Sequence, residues 1–297
     1  MTVLEGESAG RKLLVTEPVE QYEGHAVFCE RAGSLPRLVI CGGGHVSIPM
    51  IRMGKMLGFQ VTVLEDRPKF ADNARVAGAD VVICDSFEYG LERISGGDDT
   101  YFIIVTRGHR YDEVCLGAIV EKPNAYIGMM GSRRRVAIVK EELFEQGHER
   151  EKLDGVYTPI GLKIGAETPE EIAVSVMAEI IQVKHEKAEG CEYSKELLEA
   201  LCDEDGKKQK KVLATIISRK GSAPRGVGTK MLILEDGTLI DTIGGGCAES
   251  DVITKALLMM REEKLRFQIC MVDMTREAAE EEGMVCGGRI EVMLERV

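Results

Sequence analysis

The first strong pattern along the chain is the apolar run Leu38-Val39-Ile40-Cys41, closed by Gly42-Gly43-Gly44 and followed over residues 45–58 by apolar positions at helical spacing that end at Gly58. This predicts strand, tight loop, helix. Short apolar runs recur at 60–66, 79–85, 100–106 and 125–130, separated by helix-like stretches such as Asp112–Glu121. Such alternation predicts a parallel sheet with right-handed crossovers. Thr168 reads as an N-cap, with Pro169 at the first helical position and Glu170 and Glu171 in the first turn, of a helix that closes the first domain near residue 186. The period changes from residue 211: KVLATIISR, TKMLILE and TLIDTI read as strands, with Asp236-Gly237 as a two-residue hairpin turn. A helix over 248–262, a strand over 265–274, an acidic helical turn from Thr275 to Glu282 and a last strand over 289–295 complete a smaller α+β unit. The expected boundaries are a lead-in at 1–35, a parallel α/β domain at 36–190, a linker at 191–210 and the α+β domain at 211–297. The linker holds a short helix after Ser194 and the solvated run KKQKK.

Composition then narrows the function classes. With 44% hydrophobic and 30% charged residues over 297 positions, the chain has a globular make-up, and two domains fit its length. No apolar run approaches the roughly 20 residues of a membrane span, and the acidic, polar start lacks the cationic and apolar parts of a secretory signal. The expected location is the cytoplasm, with no membrane partner. In that reducing compartment the 9 cysteines, none in C-x-x-C spacing, are expected as free thiols. A net charge of −12, 5% aromatic residues and no Trp argue against a nucleic-acid partner. The charge is uneven, with 23 basic and 36 acidic residues up to position 206 and 15 and 14 after it. An anion is therefore expected in the last third.

Gly42-x-Gly44-x-x-Ser47 lies between a strand and a helix, and Glu65 and Asp66 end the next strand, which is the arrangement of a dinucleotide site or, as the alternative, of a doubly wound sheet with a vestigial loop. Gly42, Gly43 and Gly44 let the chain approach a pyrophosphate, while a carboxylate accepts from a ribose hydroxyl. Arg67 is a candidate for a 2′-phosphate or a surface arginine. His109, in Thr106-Arg107-Gly108-His109, follows a strand's carboxyl end, and His45 sits in the first loop as a second candidate or a hydrogen-bonded structural residue. Ser132 is placed to cap a helix whose first turn carries Arg133, Arg134 and Arg135, so a phosphate or a solvated basic face is expected there.

In the last third, the loop from Lys220 to Lys230 carries Arg225 and three glycines and can surround an anion. Gly244-Gly245-Gly246-Cys247 leads into a helix, and Cys286-Gly287-Gly288 precedes the last strand. Flanking glycines expose amides beside both thiols, and Cys247 also sits near a helix start that favours the thiolate, so Cys247 and Cys286 are candidate reactive or ligating groups or, equally, small buried hydrophobes. Cys84 and Cys270 read as small buried hydrophobes.

These segments resemble a known family. GSAPRGVGTKMLILEDGTLIDTIGGGCAES and MVCGGRIEVMLE resemble the XdhC/CoxI-type domain of xanthine dehydrogenase accessory proteins. LVICGGGHVSIPMIRMGKMLGFQVTVLEDRP, TRGHRYD, IGMMGSRRR and PIGLKIGAETPEEIAVSVMAEI resemble that family's Rossmann domain, here placed first rather than last. The expected fold class is thus α/β, an N-terminal Rossmann-like parallel sheet plus a smaller C-terminal α+β domain. The resemblance implies a maturation factor for molybdenum hydroxylases that binds the molybdenum cofactor, as molybdopterin or its dinucleotide form, and assists its sulfuration and insertion. It also implies a hydroxylase client, a cysteine desulfurase-type sulfur donor and a possible molybdenum contact at Cys247 or Cys286. A cofactor-binding chaperone, possible as a homodimer, is expected rather than a turnover enzyme. Two alternatives stay open: an NAD(P)-dependent oxidoreductase using His109 or His45 as proton donor, and a docking scaffold that holds no cofactor.

Overall fold

The computed structural model describes residues 1–30, 35–187, 193–202, 209–221, 223–245, 247–262, 264–273 and 288–297. Two compact units result, Ser34–Ala188 and a second made of Met1–Gly33 with Glu189–Val297. The first residues of the chain form a small antiparallel sheet of β1 (Thr2–Val3), β2 (Gln21–Tyr22) and β3 (His25–Phe28), ordered β1-β3-β2, within the second unit.

The Ser34–Ala188 unit alternates strands and helices. Its elements are β4 (Arg37–Cys41), α1 (Ser47–Met56), β5 (Gln60–Glu65), α2 (Pro68–Ala77), β6 (Val81–Cys84), α3 (Phe87–Glu92), β7 (Thr100–Ile104), α4 (His109–Val120), β8 (Tyr126–Met129), α5 (Arg133–Glu145), α6 (Arg150–Asp154) and α7 (Pro169–Lys187). The strands are parallel in the order β6-β5-β4-β7-β8. Beyond β8, Tyr157 bridges Gly128 in parallel, its amide donating to Ile127 O at 2.9 Å, so a rudimentary sixth strand extends the sheet. The order reverses between β4 and β7, and ligands of open α/β sheets bind in the crevice at that reversal. Strand side chains alternate between faces, so Val39, Phe102 and Ile104 pack with Leu116 and Val139 on one side, while Leu38, Ile40, Val61 and Val63 pack with Met50, Ile51, Val176 and Ile180 on the other. Both faces being covered explains the unbroken apolar runs in the sequence. The start of α7 is closed by a reciprocal pair: Thr168 Oγ1 accepts from the Glu171 amide at 3.2 Å, and Glu171 Oε2 accepts from the Thr168 amide at 2.9 Å.

The second unit adds α8 (Lys195–Cys202), β9 (Lys211–Lys220), β10 (Lys230–Leu234), β11 (Leu239–Ile240), α9 (Cys247–Arg261), β12 (Phe267–Asp273) and β13 (Arg289–Arg296). Its larger sheet is antiparallel, ordered β11-β10-β9-β13-β12. One face, with Val212, Ala214, Ile216, Ile233 and Val292, packs on Val252, Ala256 and Met259 of α9. On the other, Leu213 and Leu232 pack with Leu197 of α8.

Three differences from the sequence reading appear here. The short helix expected after Ser194 is present as α8, but it is not a solvated connection: its Leu197 is fully buried and packs on Leu213 and Leu232 of the sheet. The lead-in joins the second unit, with Lys12 Nζ donating to Glu295 at 3.0 Å and Lys230 Nζ to Glu30 at 2.6 Å. The β10–β11 hairpin turns through three residues, Glu235, Asp236 and Gly237, rather than two: Leu234 N donates to Thr238 O and Gly237 N to Leu234 O, both at 2.9 Å. That is a tight turn followed by a left-handed glycine, φ 87°, which matches strand twist as well as a two-residue turn does. The acidic helical turn expected from Thr275 to Glu282 lies outside the described residues.

Candidate functional site

The crevice at the sheet reversal is built by the chain leaving β4, β5 and β7. Gly42 has φ +117°, and a Cβ there would stand 2.5 Å from Val105 O, so only glycine lets the first loop lie against the chain leaving β7. Ser47 Oγ donates to Gly42 O at 2.6 Å and locks the turn from inside; this is why serine stands where glycine or alanine is usual in such loops. Glu65, 1% exposed, closes the turn from the other side. Its Oε2 accepts from Gly43 N at 2.6 Å and from Arg67 Nη2 at 3.1 Å, and its Oε1 accepts from Arg67 N at 3.1 Å and Arg67 Nε at 2.6 Å. Burial opposes its charge, but the bonds from Arg67 and Gly43 outweigh it and hold the carboxyl below its usual value. Asp66 behaves oppositely. Burial, reinforced by the adjoining Glu65 carboxylate, pushes its carboxyl up against the pull of Arg107, which donates to Asp66 Oδ2 at 2.8 Å.

Arg67 is therefore bonded to Glu65 and stacked 3.6 Å over the Phe70 ring, not extended toward a phosphate. His45 and Ser132 are exposed, and His109 opens α4. Ser132 Oγ accepts from Arg135 N at 3.3 Å, the expected cap. Of the three arginines after it, Arg133 and Arg134 are exposed, while Arg135 donates to buried Asp112, which also accepts from Thr106 Oγ1 at 2.5 Å. An internal carboxylate thus answers one of the cations read as a phosphate signal. The Asp112–Arg135 pair was not legible in advance because its partners lie on different helices.

In the second unit, antiparallel pairing places Lys220, Arg289 and Asp273 at one end of the sheet, the end from which the β9–β10 loop runs to Lys230. The turn ahead of α9 reaches that loop: a Cβ on Gly244 would lie 3.0 Å from Pro224 Cβ and 3.6 Å from Arg225 Cγ. Gly244 and Gly245 have φ +134° and +75°, and both amides turn toward one carboxylate. Glu249 Oε1 accepts from Ile243 N at 3.1 Å, Gly244 N at 3.3 Å, Gly245 N at 2.9 Å and Thr242 Oγ1. Burial opposes its charge, yet these bonds prevail and lower its pKa. The amides expected to face an anionic ligand are occupied by Glu249, third residue of α9, a position from which a glutamate commonly reaches back to preceding amides. That spacing was the signal available in the sequence.

Lys230, expected to face an anion, is buried: it donates to Glu30 at 2.6 Å and lies 4.8 Å over the Tyr193 ring. Arg225 is exposed on its loop, Cys247 is the first residue of α9, and Gly288 is buried. Gly246, Cys286 and Gly287 lie outside the described residues. Cys270 is buried as expected, its thiol pushed up by burial, whereas Cys84 is exposed because β6 is an edge strand. Among the described residues no group of three or more His, Cys, Asp or Glu side chains is arranged to hold a metal, and no helix is long and apolar enough to cross a membrane.

Two family descriptions match the chain: the XdhC Rossmann domain over residues 38–180, and the XdhC and CoxI family over residues 206–270. An Escherichia coli K12 relative, the uncharacterized protein YqeB, is 34% identical over 161 residues, which are 54% of this chain and 29% of that protein. A Bacillus subtilis 168 relative, named as a probable xanthine dehydrogenase subunit, is 32% identical over 158 residues, 53% of this chain and 46% of that protein. The matches thus span less than half the length of these curated relatives. A crystal structure of a xanthine dehydrogenase from Bacillus halodurans is 30% identical over 52% of this chain and 44% of its own, with a TM-score of 0.46.

Proposed function

Because the chain belongs to the XdhC and CoxI family, with its Rossmann domain ahead of its CoxI-type domain, we propose that it is an accessory maturation factor for a molybdenum hydroxylase of the xanthine dehydrogenase type. In this reading it holds the molybdenum cofactor, as molybdopterin or its dinucleotide form, during sulfuration and passes it to the client in the cytoplasm. The relative named as a probable xanthine dehydrogenase subunit supports the client class. A cysteine desulfurase-type donor supplies the sulfur, and the factor itself turns nothing over.

The observation that carries the reading is the approach of the Arg225 loop to the glycine turn that ends at Cys247. A guanidinium suits a phosphate, and a thiol at the head of a helix is a soft donor suited to molybdenum and sulfur, so the donor set fits the group. Among the described residues of that loop Arg225 and Lys220 are the exposed cations, since Lys230 is bonded to Glu30 and the amides of Gly244 and Gly245 to Glu249. Glu249 keeps the turn in shape, and Cys247 with Cys286 would hold the sulfur or metal side. When bound, the cofactor supplies the redox-active centre that the client needs.

The test is equilibrium gel filtration of the anaerobically prepared, reduced protein with molybdenum analysis of the fractions. Stoichiometric molybdenum comigrating with the chain is expected. Absence of molybdenum, while a known carrier run in parallel retains it, would leave a docking scaffold as the better reading.

A further inference from the structure

An outer strand is protected when it is short, flanked by charge, bulged or covered, because an open edge is a template for another strand. Among the described residues, most edges of the two five-stranded sheets meet this condition. β6 has four residues, set between Asp80 and Asp85; β8 is followed by the Tyr157 bridge; and β11 has two residues. β12 does not. Its seven residues, FQICMVD, hold no proline or lysine and carry one charge, Asp273 at the end, and they pair with β13 in unbroken register. Among the described residues β13 is its one neighbour in the sheet.

The ladder shows which groups face outward. Arg296 N donates to Arg266 O at 3.0 Å, and bonded pairs alternate in an antiparallel ladder. Gln268, Cys270 and Val272 therefore direct their main-chain groups to β13, while Phe267, Ile269 and Met271 direct theirs away from it. Cys270 and Val272 pack under α9, so the side chains of Phe267, Ile269 and Met271 lie on the opposite face. Gly10 of the lead-in lies against the Phe267 ring, where an added Cβ would stand 3.0 Å away. Ile269 is half-buried and Met271 is 60% exposed. Two apolar side chains thus stand beside outward-facing main chain.

We propose that β12 is a self-association edge, at which β12 of a second copy pairs antiparallel about a two-fold axis through Cys270 and joins the two sheets edge to edge. The strand's own pattern selects this occupant. Centring on Cys270 uses the full length of the strand and sets Ile269 opposite Met271 of the second copy and Met271 opposite its Ile269, so each apolar pair covers the other. Cys270 then falls at a non-bonded pair, as its main-chain bonding to β13 requires. Charge fits the same axis. Burial dominates the Cys270 thiol, and beyond it Lys255 and Asp251 act on that thiol in opposite senses. These two lie one turn apart on α9 and are 33% and 62% exposed. An axis through Cys270 turns each toward its opposite on the second copy. A strand from another protein would need no pattern that reads alike from both ends. The homodimer expected from the sequence had no surface; this assigns the surface, the axis and the register, and it does not rest on the molybdenum reading.

The test is analytical ultracentrifugation of the full chain, with hydrogen exchange over residues 265–273 read by mass spectrometry and melting temperatures as the fold control. The parent should sediment at twice the chain mass, and exchange over 265–273 should slow as rising concentration fills the dimer. Met271→Lys sets a charge against Ile269 of the second copy twice per dimer, and should raise the dissociation constant at least about a hundredfold. Met271→Pro removes an outward amide and none that bonds β13, and should weaken the dimer as strongly. Met271→Glu replaces the proline variant if that one melts early. Lys255→Asp should weaken the dimer by about fivefold, and adding Asp251→Lys should restore it. A parent that stays monomeric at high micromolar concentration leaves the edge to another protein's strand and overturns the proposal. So does a dimer that persists in folded Met271→Lys or Met271→Pro, exchange over 265–273 that ignores dimerisation, or a Lys255→Asp loss that Asp251→Lys does not restore. Molybdenum comigration is read separately, so either idea can fail alone.

Discussion

Replacing Glu249 by alanine removes the one oxygen on which Thr242 Oγ1 and the amides of Ile243, Gly244 and Gly245 converge. A hydrogen bond to a charged group contributes about 1.5–3 kcal/mol, and a buried donor left without a partner costs about 1–3 kcal/mol. Four donors sharing one acceptor do not add, and the half-buried Gly244 and Gly245 allow water to replace part of the loss. A destabilisation of about 2–3 kcal/mol is expected. For a unit of this size that lowers the melting temperature by about 6–12 °C. Glu249→Gln keeps an oxygen acceptor but loses the charge, and should fall by about half as much. The pH dependence has a definite sign. The folded-state pKa lies below the ordinary value of 4.5, so the carboxylate's contribution is complete above that value and is lost as pH falls through the folded value. Calorimetric melts of the parent and Glu249→Gln from neutral pH downward should therefore converge only in the acid range. A difference that stays constant into acid, or Glu249→Ala melting with the parent at neutral pH, would show that the glycine turn does not depend on this carboxylate.

Glu30→Ala leaves the Lys230 ammonium, 1% exposed, without the carboxylate at 2.6 Å, and urea unfolding should show a loss of about 3–5 kcal/mol, largely restored by pairing it with Lys230→Met. Ile40→Ala in the central strand should cost about 2–5 kcal/mol, whereas Val81→Ala on edge strand β6, where the side chain is 42% exposed, should cost under about 1 kcal/mol by the same assay. Cys247→Ser and Cys286→Ser should stay folded, yet at least one should abolish activation of a co-expressed molybdenum hydroxylase. Cys270→Ser, in the core, should lower stability while leaving activation per folded molecule intact. Full activation by both the Cys247 and Cys286 variants would make the two thiols structural.

The elements whose side chains repeat with a clear period were readable in advance. The parallel sheet follows from apolar runs buried on both faces, and α7 from Thr168 and the glutamates that follow it. What stayed hidden depends on distant pairs. Nothing local to Leu197 shows that it covers Leu213 and Leu232, and Glu30 and Lys230 are 200 positions apart. The candidate positions were legible as places rather than partners. The glycine turns, Glu65 and Arg67 were singled out, but the bonds that occupy them were not, because a sequence lists donors and acceptors without pairing them.

The two glycine turns share a design that changes how ligand binding should be understood. At Gly43 the amide is bonded to Glu65, and at Gly244 and Gly245 the amides are bonded to Glu249. A glycine turn with free amides would be costly to hold, because glycine loses the most conformational freedom on folding and unpaired amides favour other shapes. An internal carboxylate removes that cost by supplying the negative partner before any ligand arrives. The turn is then fixed in advance, and a phosphate seeking the bonded amides, Gly43 in one turn and Gly244 and Gly245 in the other, would have to displace a carboxylate already in place. The side chains beside the turns remain: Arg67 next to one, and Arg225 on the loop next to the other. On this argument the glycines make the shape of each turn and the glutamates keep it, so selectivity for any ligand would have to come from side chains outside the glycine motifs.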